Sequence, residues 1–172
     1  MEQVCDVFLE KCQSDPSCET ETLIQQPGMK EEERESFLQA FSEELSGERK
    51  GSLAAFCVMG GIFGEGIDLK NEQLIGAIVV GTGLPQISNE REILMGYFEK
   101  FDYAYRYPGM NKVLQAAGRV IRTVEDVGVI ELLDERFLQS EYRALFPREW
   151  ERQTVCRIDT VEKYLEEFWN RS

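Results

Sequence analysis

The chain contains no histidine. That removes every Ser-His or Cys-His nucleophile pair and the commonest general base, so hydrolysis by a histidine-based triad is excluded. No apolar run approaches the roughly 18 residues a membrane-spanning helix needs, and no membrane partner is expected. The five cysteines, Cys5, Cys12, Cys18, Cys57 and Cys156, include no C-x2-C pair. Without histidine to complete a mixed site, no metal site is expected. An odd cysteine count with no secretory leader points to reduced thiols and a cytoplasmic setting. The opening residues, Met1-Glu2-Gln3-Val4-Cys5-Asp6, are acidic and amphipathic, unlike a signal peptide. A Walker A loop, G-x-x-x-x-G-K-[ST], is also lacking.

Positive charge is scarce as well. Lys and Arg number 19 against 32 Asp and Glu, for a net charge of −13. A surface that attracts nucleic acid everywhere is therefore excluded, although a local basic track is not. Lys100, Arg106, Lys112, Arg119 and Arg122 form the densest such track, while acidic residues concentrate at 31–48 and 159–167.

What remains is a chain of 172 residues, long enough for one domain with a real core. It shows no internal repeat, low-complexity stretch or linker, so residues 1–172 are expected to form a single domain. Helical spacing marks 2–13, with Val4, Val7, Phe8 and Leu9 as the apolar face and Cys12 beside it. It also marks 30–45, with Phe37, Leu38, Phe41 and Leu45 inward. Residues 90–107 read as an interrupted, aromatic-rich helix, and a short helix is expected near 138–145. Tyr142, Phe146 and Trp150 are expected to cluster. A C-terminal helix is expected with Asp159 as N-cap and Glu162 at N3, its apolar face made by Val161, Tyr164, Leu165, Phe168 and Trp169 and packing on the sheet. Strand signals fall at Glu21–Gln26, Ser52–Met59, Leu74–Val80 and Val127–Leu133. The last three are apolar on both faces and separated by helices, which indicates an α/β fold with a parallel sheet covered on both sides.

Two stretches carry candidate chemistry. After the strand at 52–59 comes Gly60-Gly61-Ile62-Phe63-Gly64-Glu65-Gly66-Ile67-Asp68-Leu69, with four glycines in its first seven positions. It lies at the strand's C-terminal end, where open α/β sheets bind ligands, and glycines let backbone amides face a ligand. Its spacing is not that of the dinucleotide fingerprint. Glu65 and Asp68 can bind ribose hydroxyls, orient an arginine, or cap a helix at Ile67. The second stretch is Gln115-Ala116-Ala117-Gly118-Arg119-Val120-Ile121-Arg122, reached through Pro108-Gly109-Met110-Asn111. Continued as a helix at about 100° per residue, it places Met110, Val113, Leu114, Ala117 and Ile121 on one apolar stripe. Gln115, Arg119 and Arg122 then share the opposite face at i, i+4 and i+7. That face is either solvated or a binding surface for an anion. Gly118 in mid-helix costs about 1 kcal/mol against alanine, and a close approach to the backbone is expected there. An anion bridging the two stretches would meet amides, carboxylates and arginines, which suits a nucleotide triphosphate. A phosphate-cradling lysine loop and an Asp-Glu magnesium pair are both missing, so the chain looks like half of such a site.

G-x-F-G-E-G-I-D-L followed by Q-A-A-G-R-V-I-R resembles motifs V and VI of superfamily 2 helicases. The closer resemblance is to the C-terminal helicase domain of the DinG/XPD family of DNA helicases. Gly83-Leu84-Pro85, Tyr103-Ala104-Tyr105, Pro108-Gly109-Met110-Asn111, Asp126-Val127-Gly128-Val129, Leu133-Asp134-Glu135-Arg136 and Tyr142, Leu145, Phe146 and Pro147 fit as well, so the similarity runs from about Ser52 to Pro147.

The resemblance implies a RecA-like three-layer α/β/α domain with a mainly parallel central sheet, the second lobe of a two-lobed motor, lacking its first strand. ATP and Mg2+ would sit mainly on the first lobe, and single-stranded DNA would cross both. Arg122 looks like the arginine finger that reaches the γ-phosphate, and Arg119 like its phosphate-contacting neighbour. Gln115 looks like the amide linking the phosphate site to motif V, beside Gly118 of the same motif. Glu65, Gly66 and Asp68 look like motif V residues that couple nucleotide state to DNA. The family's iron–sulfur cluster belongs to the first lobe, and the cysteines here do not match its pattern. The expected function is the second motor lobe of an ATP-dependent, 5′-to-3′ DNA helicase of repair or replication. The expected partners are ATP, single-stranded DNA and the first lobe of the same parent protein. The 172-residue chain alone is expected to lack ATPase activity. The alternative is a non-catalytic nucleic-acid- or protein-binding module that keeps a helicase-lobe fold.

Overall fold

The computed structural model describes residues 2–16, 18–43, 51–61 and 74–171. It divides into two compact units, residues 1–134 and 135–172.

The first unit begins with α1 (Glu2–Ser14), β1 (Thr20–Ile24), α2 (Glu31–Glu43) and β2 (Ser52–Phe56). The two strands pair in parallel with Thr20 opposite Ser52 and Ile24 opposite Phe56. The side-chain oxygens of Thr20 and Ser52 share a hydrogen bond of 2.8 Å at the start of the ladder. Strand side chains alternate between faces, so Leu23, Leu53 and Ala55 project to one side and Ile24 and Phe56 to the other. Phe37 and Phe41 of α2 bury themselves against Leu23, Leu53 and Ala55. On the opposite face Phe8 of α1 meets Phe56 edge to face at 5.7 Å. This strand pair is thus covered on both sides by helices, which satisfies the α/β expectation. The α2 helix carries three glutamates in its first turn, where the helix dipole favours anions, and Glu33 accepts from the Lys30 N–H at 2.6 Å.

Two expectations for α1 are corrected. Its buried side centres on fully buried Cys5, with Phe8, Leu9 and Cys12 at helical spacing from it, while Val4 and Val7 are exposed. With Cys5 at zero, Val4 lies about 100° and Val7 about 160° away around the helix. Nor are all five thiols reduced, for Cys12 and Cys18 form a disulfide. The turn between them, in which Asp15 N–H donates to Cys12 and Cys18 N–H to Asp15, brings their Cα atoms to 5.2 Å. Cys5, Cys57 and Cys156 are free.

The same unit continues with β3 (Gly76–Val80), α3 (Asn89–Phe98), a π-helical turn (Asp102–Arg106), α4 (Tyr107–Ala117) and β4 (Val129–Leu133). The strands β3 and β4 are also parallel, with Gly76 opposite Val129 and Val80 opposite Leu133. Here cover on both faces is not what the described residues show. Val79 is buried, but Ile78 and Val80 on the other face are 64% and 66% exposed.

The second unit holds a 3-10 turn (Glu135–Leu138), α5 (Ser140–Arg143), a second 3-10 turn (Arg148–Arg152) and α6 (Val161–Trp169). Phe137 is its hub. It lies 6.4 Å from Tyr142 and 6.2 Å from Phe146, and Phe146 continues to Trp150 at 5.2 Å, so the expected aromatic cluster forms with one member more. The C-terminal helix starts at Val161 with Thr160, not Asp159, as N-cap. The Thr160 hydroxyl is engaged with the backbone of Arg157 on both its donor and acceptor sides.

Candidate functional site: the end of α4 and the loop beyond it

The α4 helix is positioned by a chain of local causes. Pro108 has no N–H to give to the carbonyl four residues back, that of Ala104, and its ring crowds that carbonyl. The backbone widens into the π-helical turn ahead of it, with Tyr107 N–H reaching back to Asp102. The Ala104 oxygen, to which Pro108 cannot donate, accepts from Arg91 Nη1 at 2.7 Å. Arg91 stands in the first turn of α3, whose N-cap Ser88 accepts from the Arg91 N–H. Beside it, buried Tyr105 donates its hydroxyl to Glu92 at 2.5 Å, and this bond holds the phenol above its usual pKa. Arg106 and Asp102 close the turn with an ion pair at 2.7 Å.

From there α4 buries Met110, Val113 and Ala117, each at most 1% exposed. Its N-terminal end meets the turn after β3 backbone to backbone. A Cβ on Gly109 would stand 2.7 Å from the Thr82 carbonyl oxygen, and one on Gly83, whose φ is +64°, would stand 2.7 Å from the Gly109 oxygen. Both positions need glycine for the same contact.

The candidate face does not continue as a helix. The last residue of α4 is Ala117, and Gly118 is its C-cap. Gly118 N–H still reaches Leu114, but Arg119 and Val120 donate only three residues back, to Ala116 and Ala117, in a tightening last turn. Gln115 is therefore on the helix and exposed, Arg119 is on the turn and half-buried, and Arg122 is in the loop beyond and exposed. The i, i+4, i+7 stack of these three on one helical face is overturned, and Ile121, expected on the apolar stripe, is 46% exposed. At Gly118 the φ is an ordinary −67°, and among the described residues the atoms nearest a Cβ there are the carbonyl oxygens of Leu114 and Gln115 in its own helix.

The loop has a base and an internal tie. Val120, 2% exposed, fills the space in front of Gly128, where a Cβ would come within 2.4 Å of the valine Cγ1. Between these two, the Asp126 carboxylate accepts from the N–H of Arg122 at 2.8 Å and of Thr123 at 2.7 Å. Those two bonds hold its carboxyl below the usual carboxylate range, with the Arg122 charge adding to the effect. The Thr123 hydroxyl accepts in turn from Glu125 N–H at 3.3 Å.

Glu65, Gly66 and Asp68 lie outside the described residues, which stop at Gly61. The start of their loop is described. Gly60 has φ +74°, and the methylenes of Lys112 lie across it, so that a Cβ would come within 2.8 Å of the lysine Cδ. Gln25, just past the end of β1, accepts from Val58 N–H at 2.9 Å. The structure thus joins the glycine loop to α4 through Lys112 and to β1 through Gln25. The sequence places Lys112 only in the basic track and marks no role for Gln25 or Asp126. For Lys112 the signal was its place three residues before Gln115. For Asp126 it was an aspartate four residues after an arginine in a stretch too polar to be helix or strand.

A helicase C-terminal domain family model matches residues 1–153. The chain belongs to that family. Among its relatives, the Caenorhabditis elegans regulator of telomere elongation helicase 1 homolog is 28% identical over 155 residues, covering 82% of this chain and 15% of that protein. The ATP-dependent DNA helicase CHL1 of Eremothecium gossypii is 26% identical over 144 residues, covering 74% of this chain and 18% of that protein. A probable ATP-dependent helicase of Methanocaldococcus jannaschii is 24% identical over 140 residues, covering 72% of this chain and 22% of that protein. A solved chain titled XPD_APO superposes with a TM-score of 0.54 at 23% identity, over 72% of this chain and 25% of that one. This is a helicase C-terminal domain of the DinG/XPD kind, with an α/β RecA-like fold. It spans less than a quarter of each of those three relatives.

Proposed function

We propose that this helicase C-terminal domain, taken as residues 1–172, is the second motor lobe of an ATP-dependent DNA helicase, and that Arg122 is its arginine finger. One observation carries the assignment. Arg122 stands on an exposed loop beyond the end of α4, and within that loop the Asp126 carboxylate accepts from its N–H and from that of Thr123. An arginine so placed is suited to reach a phosphate held by another surface. In phosphoryl transfer, charge spreads over the equatorial oxygens of the γ-phosphate, and a guanidinium placed there stabilises it. Arg119, on the turn, is assigned the neighbouring phosphate contact. Gln115 is assigned the link from that site to the glycine loop, and Gly118 closes the helix between them. Glu65, Gly66 and Asp68 are assigned the coupling of nucleotide state to single-stranded DNA.

ATP and Mg2+ are assigned to the first lobe of the same parent protein. Among the described residues no three His, Cys, Asp or Glu side chains converge to hold a metal ion. No step is routed through the metal here, nor through an iron–sulfur cluster, which this reading leaves to the parent protein. Translocation is assigned 5′ to 3′ polarity, repair or replication as its setting, and the cytoplasm as its location.

The test uses the complete helicase. Arg122→Ala should lower DNA-stimulated ATP hydrolysis by about 10³–10⁵-fold, with nucleotide binding close to wild type. Normal hydrolysis by that variant would remove the assignment. The 172-residue chain by itself should bind DNA weakly and hydrolyse no ATP.

A further inference from the structure

The loop that carries Arg122 leaves the core at Val120 and returns to it at Gly128. Between them Ile121, Arg122, Thr123, Val124, Glu125 and Val127 are exposed, and Asp126 is half-buried. Its apolar side chains Ile121, Val124 and Val127 are exposed, and polar bonds tie its backbone. Two of them converge on one atom, for Asp126 Oδ2 accepts from the N–H groups of Arg122 and Thr123 at 2.8 and 2.7 Å. Two adjacent amides aimed at a single oxygen restrict the backbone dihedrals between them, and with them the direction in which the arginine side chain leaves the chain. A carboxylate is suited to this task because a charged acceptor makes bonds about twice as strong as a neutral one.

We propose that Asp126 is the positioning residue for Arg122: its carboxylate, bound to the N–H groups of Arg122 and Thr123, aims the arginine and contributes to turnover through Arg122 alone. This rests on the arginine-finger assignment above. An arginine on a helix inherits its direction from the helix. One on a loop needs a device of its own, and a misplacement of about 1 Å can cost on the order of 10²-fold in rate. The carboxyl stays ionised at neutral pH, since the same two amides and the arginine charge favour its anionic form.

The experiment is a double-mutant cycle in the complete helicase, read as kcat and KM for DNA-stimulated ATP hydrolysis. Asp126→Ala should lower kcat by up to about 10²-fold, with KM for ATP close to wild type and only a small drop in thermal midpoint. Asp126→Asn, which keeps an oxygen acceptor without the charge, should fall between the two. In an Arg122→Ala background, Asp126→Ala should cost nothing further, because a residue that acts through another has no effect once that other is gone. Wild-type kcat in Asp126→Ala, or a full additional loss in the double variant, would overturn the proposal. The arginine-finger assignment fails separately, by normal turnover in Arg122→Ala alone. A large loss in Arg122→Ala beside an unaffected Asp126→Ala would leave the finger standing and remove the positioning role.

Discussion

The α4 helix and the loop that follows it belong to one continuous motif, yet opposite forces hold them. From Met110 to Ala117 the chain is placed by apolar burial, with Met110, Val113 and Ala117 shut off from solvent. From Ile121 to Val127 no side chain is buried, and side-chain-to-backbone hydrogen bonds from Asp126 and Thr123 tie the path. Val120 against Gly128 marks the border between the two regimes. A buried ridge resists displacement because any shift opens a void or a clash. A polar loop can reach beyond the core, and it owes its shape to a few atoms. This division suits the role proposed for Arg122, in which the helix stays fixed while the arginine is presented to another surface.

The contrast can be broken by experiment. The largest stability effect is expected in the helix. Met110→Ala should destabilise the fold by about 2–5 kcal/mol, seen as a lower urea midpoint at unchanged slope. A loss below about 1 kcal/mol would mean that the ridge can collapse around the void and is not the anchor. Next comes the border. Gly128→Ala places a Cβ 2.4 Å from Val120 Cγ1 and 2.9 Å from the Ile75 carbonyl oxygen. Overpacking there should cost about 1–3 kcal/mol, and thermal melts of the variant would show it. An unchanged melting temperature would show that the loop base yields more easily than the contact suggests.

The smallest effect is expected in the loop and depends on pH. The Asp126 carboxyl titrates below its ordinary value near 3.8 because Arg122 and Thr123 donate to its anion. A group whose folded pKa is depressed contributes stability above its unfolded value, and the contribution disappears as pH falls through the folded one. The stability difference between wild type and Asp126→Ala should therefore be flat from neutral pH down to about 5 and close only in stronger acid, below pH 3.8. Acid titrations of unfolding in the two proteins would check this. A difference that closed near neutrality would mean that the carboxylate is not tied as described.

Much of the fold was legible in the residues. The strands at 52–56, 76–80 and 129–133 fall inside the runs marked for them, the strand at 20–24 overlaps the run at 21–26, and α1 and α2 fall on helical spacing. Phe37 and Phe41 were readable as core because an i, i+4 apolar pair on a charged helix has one dry side to occupy. The interruption before α4 was readable from Pro108. The end of α4 was not. Ala-Ala-Gly-Arg-Val-Ile-Arg carries a helical period through Arg122, and a period says nothing of where hydrogen bonding stops. The disulfide was missed for a related reason, since cysteine spacing does not reveal that a turn brings two Cα atoms to 5.2 Å.

The sequence by itself determined the family, the α/β class and the identities of Gln115, Arg119 and Arg122, because motif chemistry and hydrophobic period are properties of local order along the chain. Tertiary structure alone decided that these three residues do not share a helical face, that Lys112 lies across Gly60 and Gln25 bonds Val58, and that Asp126 ties the arginine loop. Those facts depend on which carbonyls and amides find partners once the core has closed, and a residue pattern does not state where those partners are.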